Sequence, residues 1–176
     1  MKGVGKRRMA REMALQMLYQ HDMGGSTAEQ IFQTFDRAVY FEARGAAGAP
    51  GDGERPAARR SKRGAEEAER RRREVEDAFA YARSLVHGTL EHLEEVNGLI
   101  RQQADNWRLE RMPAVDRNIL RLAVYELLYE EDIPKLVVMD EAIELAKKFS
   151  TDQSSRFVNG LLDGLLKRRQ FPGTME

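Results

Sequence analysis

Between Val115 and Tyr129 the chain carries apolar residues on nearly every side of a helix: Val115, Ile119, Leu120, Leu122, Ala123, Val124, Leu127 and Leu128. A surface helix shows one apolar stripe and a polar back, so a helix covered on most sides has to be central, with others wrapped around it. Pro113 suits its opening turn, where a missing N–H costs nothing, and Pro134 separates it from the next helical pattern. Glu126 falls among these apolar residues. A carboxylate carried into a core needs a partner, and Arg121 or an arginine from another helix is expected to supply it.

The remaining patterns read as the wrapping. Met139, Ala142, Ile143, Ala146 and Phe149 follow the three-four spacing of one helical face. Asp140, Glu141 and Glu144 come early in that helix and Lys147 and Lys148 late, the order its dipole favours. Thr151 or Asp152 can cap a last helix that buries Val158, Leu161, Leu162, Leu165 and Leu166. Gly160 and Gly164 lie one turn apart on it. Each costs about 1 kcal/mol against alanine, which suggests the close approach of another helix.

Upstream, Met9, Ala10, Met13, Ala14, Met17 and Leu18 define a helix from Lys6 to Asp22. Ser26 or Thr27, with Glu29 or Gln30, offers a capping box for a second, whose apolar face is Ile31, Phe32, Phe35, Val39 and Tyr40. The pattern Val75, Phe79, Ala82, Val86, Leu90, Leu93, Val96, Ile100, Ala104, Trp107 predicts two helices broken between Gly88 and Glu94, since one unbroken helix would outgrow a small domain. The total is seven helices and no strand, an all-α bundle. Residues 43–63 hold almost no large apolar side chain, and 64–73 are strongly charged. The stretch 43–73 is therefore expected to be an insertion, disordered at first and then a solvated lead-in that is helical or irregular, in a single domain spanning 1–176.

A chain of 176 residues with 41% hydrophobic and 33% charged content predicts one soluble globular domain. It has no cysteine, which excludes disulfides and thiolate chemistry. No apolar run reaches the roughly 20 residues a bilayer needs, and no apolar stretch comes after the charged N-terminus as in a secretory signal. A cytoplasmic protein without membrane contact is the expectation. The net charge is zero, which argues against a wholly basic nucleic-acid binder, but the charge is unevenly spread. Lys2, Lys6, Arg7, Arg8 and Arg11 occupy the first eleven residues without an acid. Held on a helix, such a cluster can position phosphates.

Leu15 and Tyr19 lie on the side of that helix carrying Arg8, Arg11 and Glu12. They either pack into a second helix of the fold or contact a partner, at whose interfaces Tyr is enriched. Phe157, near the first turn of the last helix beside Gln153 and Arg156, is either rim packing or a surface ring. Catalytic signals are weak: His21, His87 and His92 lack the i,i+4 spacing of a helical zinc site. The glycines of the insertion are followed by no P-loop lysine-serine, and no nucleophile–base pair stands out. The reading is a binding protein, not an enzyme, without a cofactor.

With these residues in view, the chain resembles the NusB family of bacterial transcription antitermination factors. The resemblance rests on RRMAREMALQMLYQ, PAVDRNILRLAVYEL and DEAIELAKKFSTDQSSRFVNGLLD, in this order and spacing, and covers everything but the insertion. It implies two packed three-helix bundles and binding of single-stranded boxA RNA from ribosomal RNA operon transcripts. The RNA is bound together with NusE, a small-subunit ribosomal protein, in an RNA polymerase antitermination complex. The family's arginine-rich start falls on Arg7, Arg8 and Arg11, with Lys2 and Lys6 adjoining. Its RNA-contacting aromatic falls on Phe157, beside Gln153, Ser154 and Arg156. The resemblance also puts Tyr19 and Asp116 at or near the NusE-facing surface, which turns Leu15 and Tyr19 toward a partner, and it permits both monomers and homodimers. A rival is an accessory domain like the one ahead of RNA 5-methylcytosine methyltransferases; with no cofactor-binding βαβ region before Glu176, a stand-alone factor is expected.

Overall fold

The computed structural model describes the backbone of residues 4–46, 57–104 and 108–168, and the side chains of 5–43, 62–104 and 108–168. Among them are eight α-helices: α1 (Val4–Gly24), α2 (Ala28–Thr34), α3 (Ala38–Ala46), α4 (Ala57–Glu91), α5 (Leu93–Gln103), α6 (Ala114–Tyr129), α7 (Lys135–Phe149) and α8 (Asp152–Arg168). A 3-10 turn, Leu109–Arg111, precedes α6, and no described residue is in a strand.

Helix α6 is the wrapped one. Asp116 and every residue from Asn118 to Leu128 are buried, because α1, α4, α5, α7 and α8 all pack against it. On one side α1 lies along α4, with α2 and α3 covering them; on the other α7 lies along α8, with α5 closing the group. Each large aliphatic side chain sealed in this way, such as Leu120 or Leu127, contributes roughly 1.5–3 kcal/mol by leaving water. Lys135, the first residue of α7, is buried and donates to the Leu127 carbonyl of α6 at 2.7 Å. That bond satisfies an orphan acceptor at a helix end and sets the turn between the two helices.

The expected caps form. Thr27 accepts from the Gln30 N–H while the Gln30 side chain accepts from the Thr27 N–H, and Thr151 accepts from the Ser154 N–H at the start of α8. The second predicted helix is two. Phe35 leaves α2 in an extended conformation to stack on Phe79, and the Asp36 carboxylate accepts the Ala38 N–H that opens α3. The break between α4 and α5 falls at His92, whose ring stacks on Tyr129 at 4.0 Å.

The insertion differs more. Residues 43–46 belong to α3 and 57–73 to α4, while 47–56 lie outside the described residues. Helix α4 is 35 residues long, roughly 52 Å at 1.5 Å per residue, longer than the single helix that a small domain was expected to exclude. Its first half lacks apolar side chains but is built of alanine, arginine and glutamate, all strong helix formers. Arg63–Glu67 and Arg73–Glu69 add i,i+4 pairs. Gly160 does not admit a neighbour: a Cβ there would meet open space, whereas one on Gly164 would meet the Gln103 amide. A close approach that the spacing did not mark lies at Gly88, where a methyl group would overlap the Tyr125 hydroxyl and ring. Trp107 lies outside the described residues.

The partner of Glu126 is Arg11. Arg11 Nε donates to both carboxylate oxygens, at 2.9 and 3.0 Å, and Nη2 to Oε2 at 2.7 Å, with the two residues 2% and 1% exposed. Burial pushes the Glu126 carboxyl up; the hydrogen bonds and charge of Arg11 oppose this without cancelling it. Arg121, the other expected partner, turns instead to Asp22 and Asn97. Arg11→Ala strands a buried carboxylate and is expected to cost about 3–5 kcal/mol in urea denaturation, whereas Arg11→Met with Glu126→Leu recovers most of it. Equal losses in the two variants would show that the pair's geometry is not what α1 depends on.

Candidate nucleic-acid interface

The basic start of α1 is held by acids from two other helices. Lys6 bonds Asp77 of α4 at 2.9 Å. Arg8 forks onto Glu141 of α7, at 3.0 Å through Nε and 2.8 Å through Nη2, and Lys148 of α7 reaches back to Glu12 at 2.8 Å. These bridges span an open cleft of about 230 Å³ between α1 and α7. Arg7 is exposed and has no ion pair among the described residues. Lys2 lies outside them. Arg11 corrects the expectation of a phosphate contact: its head is inside the fold, bonded to Glu126 through Nε and Nη2, and at 2% exposure it is out of reach of RNA.

The predicted α8 residues sit where the chain turns from α7. Gln153 and Arg156 are exposed on the first two turns, and Ser154 is buried. Phe157 is half-buried and rests on the core, so both readings of it hold in part: one portion of the ring packs and the other meets solvent. Around the helix axis Phe157 lies about 20° from Gly164 at 100° per residue, on the flank facing Gln103 of α5. The bridges from α1 fall instead on α4 and α7. The α1 cations and the ring thus stand on different helices.

The residues expected to face a protein partner divide. Leu15 is 3% exposed and belongs to the core, which corrects its assignment to an interface; it packs into the fold. Asp116 is also buried, accepting from the Ser150 hydroxyl at 2.7 Å, so it links α6 to the α7–α8 turn and presents no surface. Tyr19 is 41% exposed and lines an open groove of about 700 Å³ with Gln20, Met23, Ile31 and Thr34.

Near the same end of α1 is a cluster that the sequence did not reveal. Asp22, near the end of α1, accepts from Arg117 Nε and Nη2 at 2.9 and 2.7 Å and from Asn118 Nδ2 at 3.0 Å. Arg121 lies 3.1 Å from its other oxygen. Nothing local marks Asp22 as different from any acid near a helix end; its partners are more than ninety residues away in the chain. Similarly Glu141, which sequence marks only as an acid early in its helix, is buried under Arg8.

A helical body with cations bridged across a cleft at one place and an aromatic at another defines a recognition scaffold. The chain belongs to the NusB family, whose model matches residues 8–167. It is 39% identical over 160 residues to a transcription antitermination protein NusB of Myxococcus xanthus, covering 91% of this chain and 94% of that one. It is 42% identical over 162 residues to the one of Symbiobacterium thermophilum, covering 92% and 89%. Among solved structures it is similar to T. maritima NusB, with a TM-score of 0.66, 33% identity and coverage of 93% and 92%. It is also similar to a chain from the antitermination factors NusB and NusE in complex with double-stranded RNA, with a TM-score of 0.66, 25% identity and coverage of 94% and 99%. No helix among the described residues is long and apolar enough to cross a membrane.

The Asp22 cluster gives a pH test of how α1 is seated. Burial pushes the Asp22 carboxyl up, but hydrogen bonds from Arg117, Asn118 and Arg121 outweigh it and hold the group below its ordinary range. A depressed folded-state value means the contribution is fully present above pH about 4, the unfolded value, and is lost as pH falls through the folded one. Urea denaturation from pH 6 to pH 2 is expected to show a shallower acid loss in Asp22→Asn than in the parent. Parallel curves would remove Asp22 from the acid response.

Proposed function

We propose that this chain is an RNA-binding antitermination factor of the cytoplasm, working by recruitment without catalysis. It binds boxA RNA of ribosomal RNA operon transcripts with NusE, and the pair joins an RNA polymerase antitermination complex. The observation that carries this reading is the likeness, along nearly the whole chain, to a NusB seen with NusE and RNA, within a family of antitermination proteins. The geometry supports it in part. Lys6, Arg7 and Arg8 stay at the surface to meet phosphates, with Lys2 adjoining in sequence. Gln153, Arg156 and the open part of Phe157 supply polar and stacking contacts to unpaired bases, a base on an aromatic ring being worth roughly 1–3 kcal/mol. Tyr19, with the groove that continues from it to Met23, is the surface assigned to NusE. Arg11, Leu15 and Asp116 hold that surface in place from inside.

About four phosphates remain for the α1 cluster, so log K should fall with log salt at a slope near −3 for a single strand. Filter binding with boxA RNA, alone and with NusE, measures it; a slope near zero would remove the phosphate contacts from the mechanism. Arg7→Ala with Arg8→Ala is expected to weaken all RNAs alike, while Phe157→Ala blunts the preference for boxA over a scrambled strand. A double-stranded boxA competitor that binds as tightly as the single strand would overturn the base-stacking part.

A further inference from the structure

The first half of α4 is the part of this chain that the proposed function does not use. Two contacts hold its inner end: Lys6 of α1 bridges to Asp77, and Arg37, just before α3, bridges to Glu76 with its guanidinium over Phe79. Helix α1 begins at Val4, level with that bridge, while α4 continues outward for five further turns to Ala57. Four consecutive arginines, Arg70–Arg73, fall within the two turns beyond Asp77. Consecutive residues on a helix point 100° apart, so the four cannot share a face. Arg71 turns inward over Phe41 of α3, and Arg72 lies against Arg37 and Phe41.

Arg70 and Arg73 point the other way. They are seven and four residues before Asp77, in the same row along the helix, which is the row that meets the start of α1. Arg70 is exposed and has no ion pair among the described residues. Arg73 is 74% exposed, with Glu69 no nearer than 3.7 Å. Asp77, four residues after Arg73 on that row, is already neutralised by Lys6. Glu66, four residues before Arg70, lines an open pocket with it, Arg63 and Glu67, and Glu74 sits on the flank toward the core, half-buried.

We infer that Arg70 and Arg73 continue the Lys6–Arg7–Arg8 cluster outward along α4 into one strip that holds the phosphate backbone of RNA flanking the recognised element. This rests on the function proposed above and extends it. The strip takes phosphates without reading bases, because two guanidinium groups on a solvated helix face carry charge but no pocket. A helix places them better than a loop would, since the Lys6–Asp77 bridge fixes their distance from Arg7. Arg70 lies roughly 10 Å beyond that bridge along the axis.

The test compares a single-stranded RNA carrying only the recognised element with the same RNA lengthened on each side, using the full chain. Arg70→Gln with Arg73→Gln keeps helix propensity and removes two charges. Lys147→Gln with Lys167→Gln, on α7 and α8, removes two elsewhere. The first pair is expected to weaken the lengthened RNA roughly tenfold more than the short one near 0.1 M salt and to make its salt slope shallower by about 1.4. The second pair should leave the ratio of the two affinities unchanged. If the lengthened RNA binds Arg70→Gln/Arg73→Gln as it binds the parent, or if the control pair has the same effect, the strip is overturned and the α1 site stands. If the parent binds neither RNA, the proposed function fails and the strip with it.

Discussion

The seating of α1 against α6 depends on a charge pair inside the protein. Apolar burial is non-directional; the methionines of α1 would satisfy it in more than one register. Arg11 on Glu126 at one end, and Asp22 on Arg117 and Arg121 at the other, admit only one. The two helices run antiparallel between these clamps, and every surface residue of α1 is placed by them. A buried pair of this kind adds little net stability over an apolar replacement, while breaking it is costly. Its role here is to set where Arg7 and Tyr19 emerge.

That placement explains why three arginines that look alike in sequence have different fates. Arg7, Arg8 and Arg11 lie within one turn of each other and all fit a basic helix start. Arg11 is level with Glu126, inside the length of α6. One turn toward the N-terminus, α1 is level with Glu130, past the last residue of α6 at Tyr129. There is no core left to enter, so Arg8 reaches sideways to α7 and Arg7 stays in water. Leu15 and Tyr19 divide in the same manner, one turn apart on one face, with the first covered and the second at the edge of a groove. Helical periodicity tells which side a residue faces; it does not tell where the neighbouring helix stops.

The same limit separates the features legible in the chain from those that were not. The all-round apolar pattern of α6 and the capping box of α2 are local, and they led directly to the observed elements. The long-range acids Glu141 and Asp22 have no local mark, and their partners lie on other helices. The insertion shows a different confusion: a segment without apolar residues cannot make a core, but alanine, arginine and glutamate still make a helix when its far end is anchored by packing. Gly160 and Gly88 show it once more. Spacing pointed to the first together with Gly164, which does meet Gln103, while another close contact lies under the Tyr125 ring at the second, where only the fold puts an aromatic.

An acid bound to a surface cation offsets its attraction for RNA, as Glu141 does for Arg8 and Asp77 for Lys6. For Arg8 the geometry supplies a compensation. Glu141 occupies Nε and Nη2, leaving Nη1 without a bond among the described residues, on a side chain that is still 45% exposed. An arginine held this way has already lost the rotamer freedom that a free one would lose on binding, roughly 0.5–1.5 kcal/mol for such a side chain. The carboxylate therefore trades some attraction for orientation. Arg7, unheld, supplies attraction with less direction. On the function proposed above, an RNA strand arriving at this end of α1 would meet one cation without an ion pair among the described residues and one held by a carboxylate, and the held one would set its register.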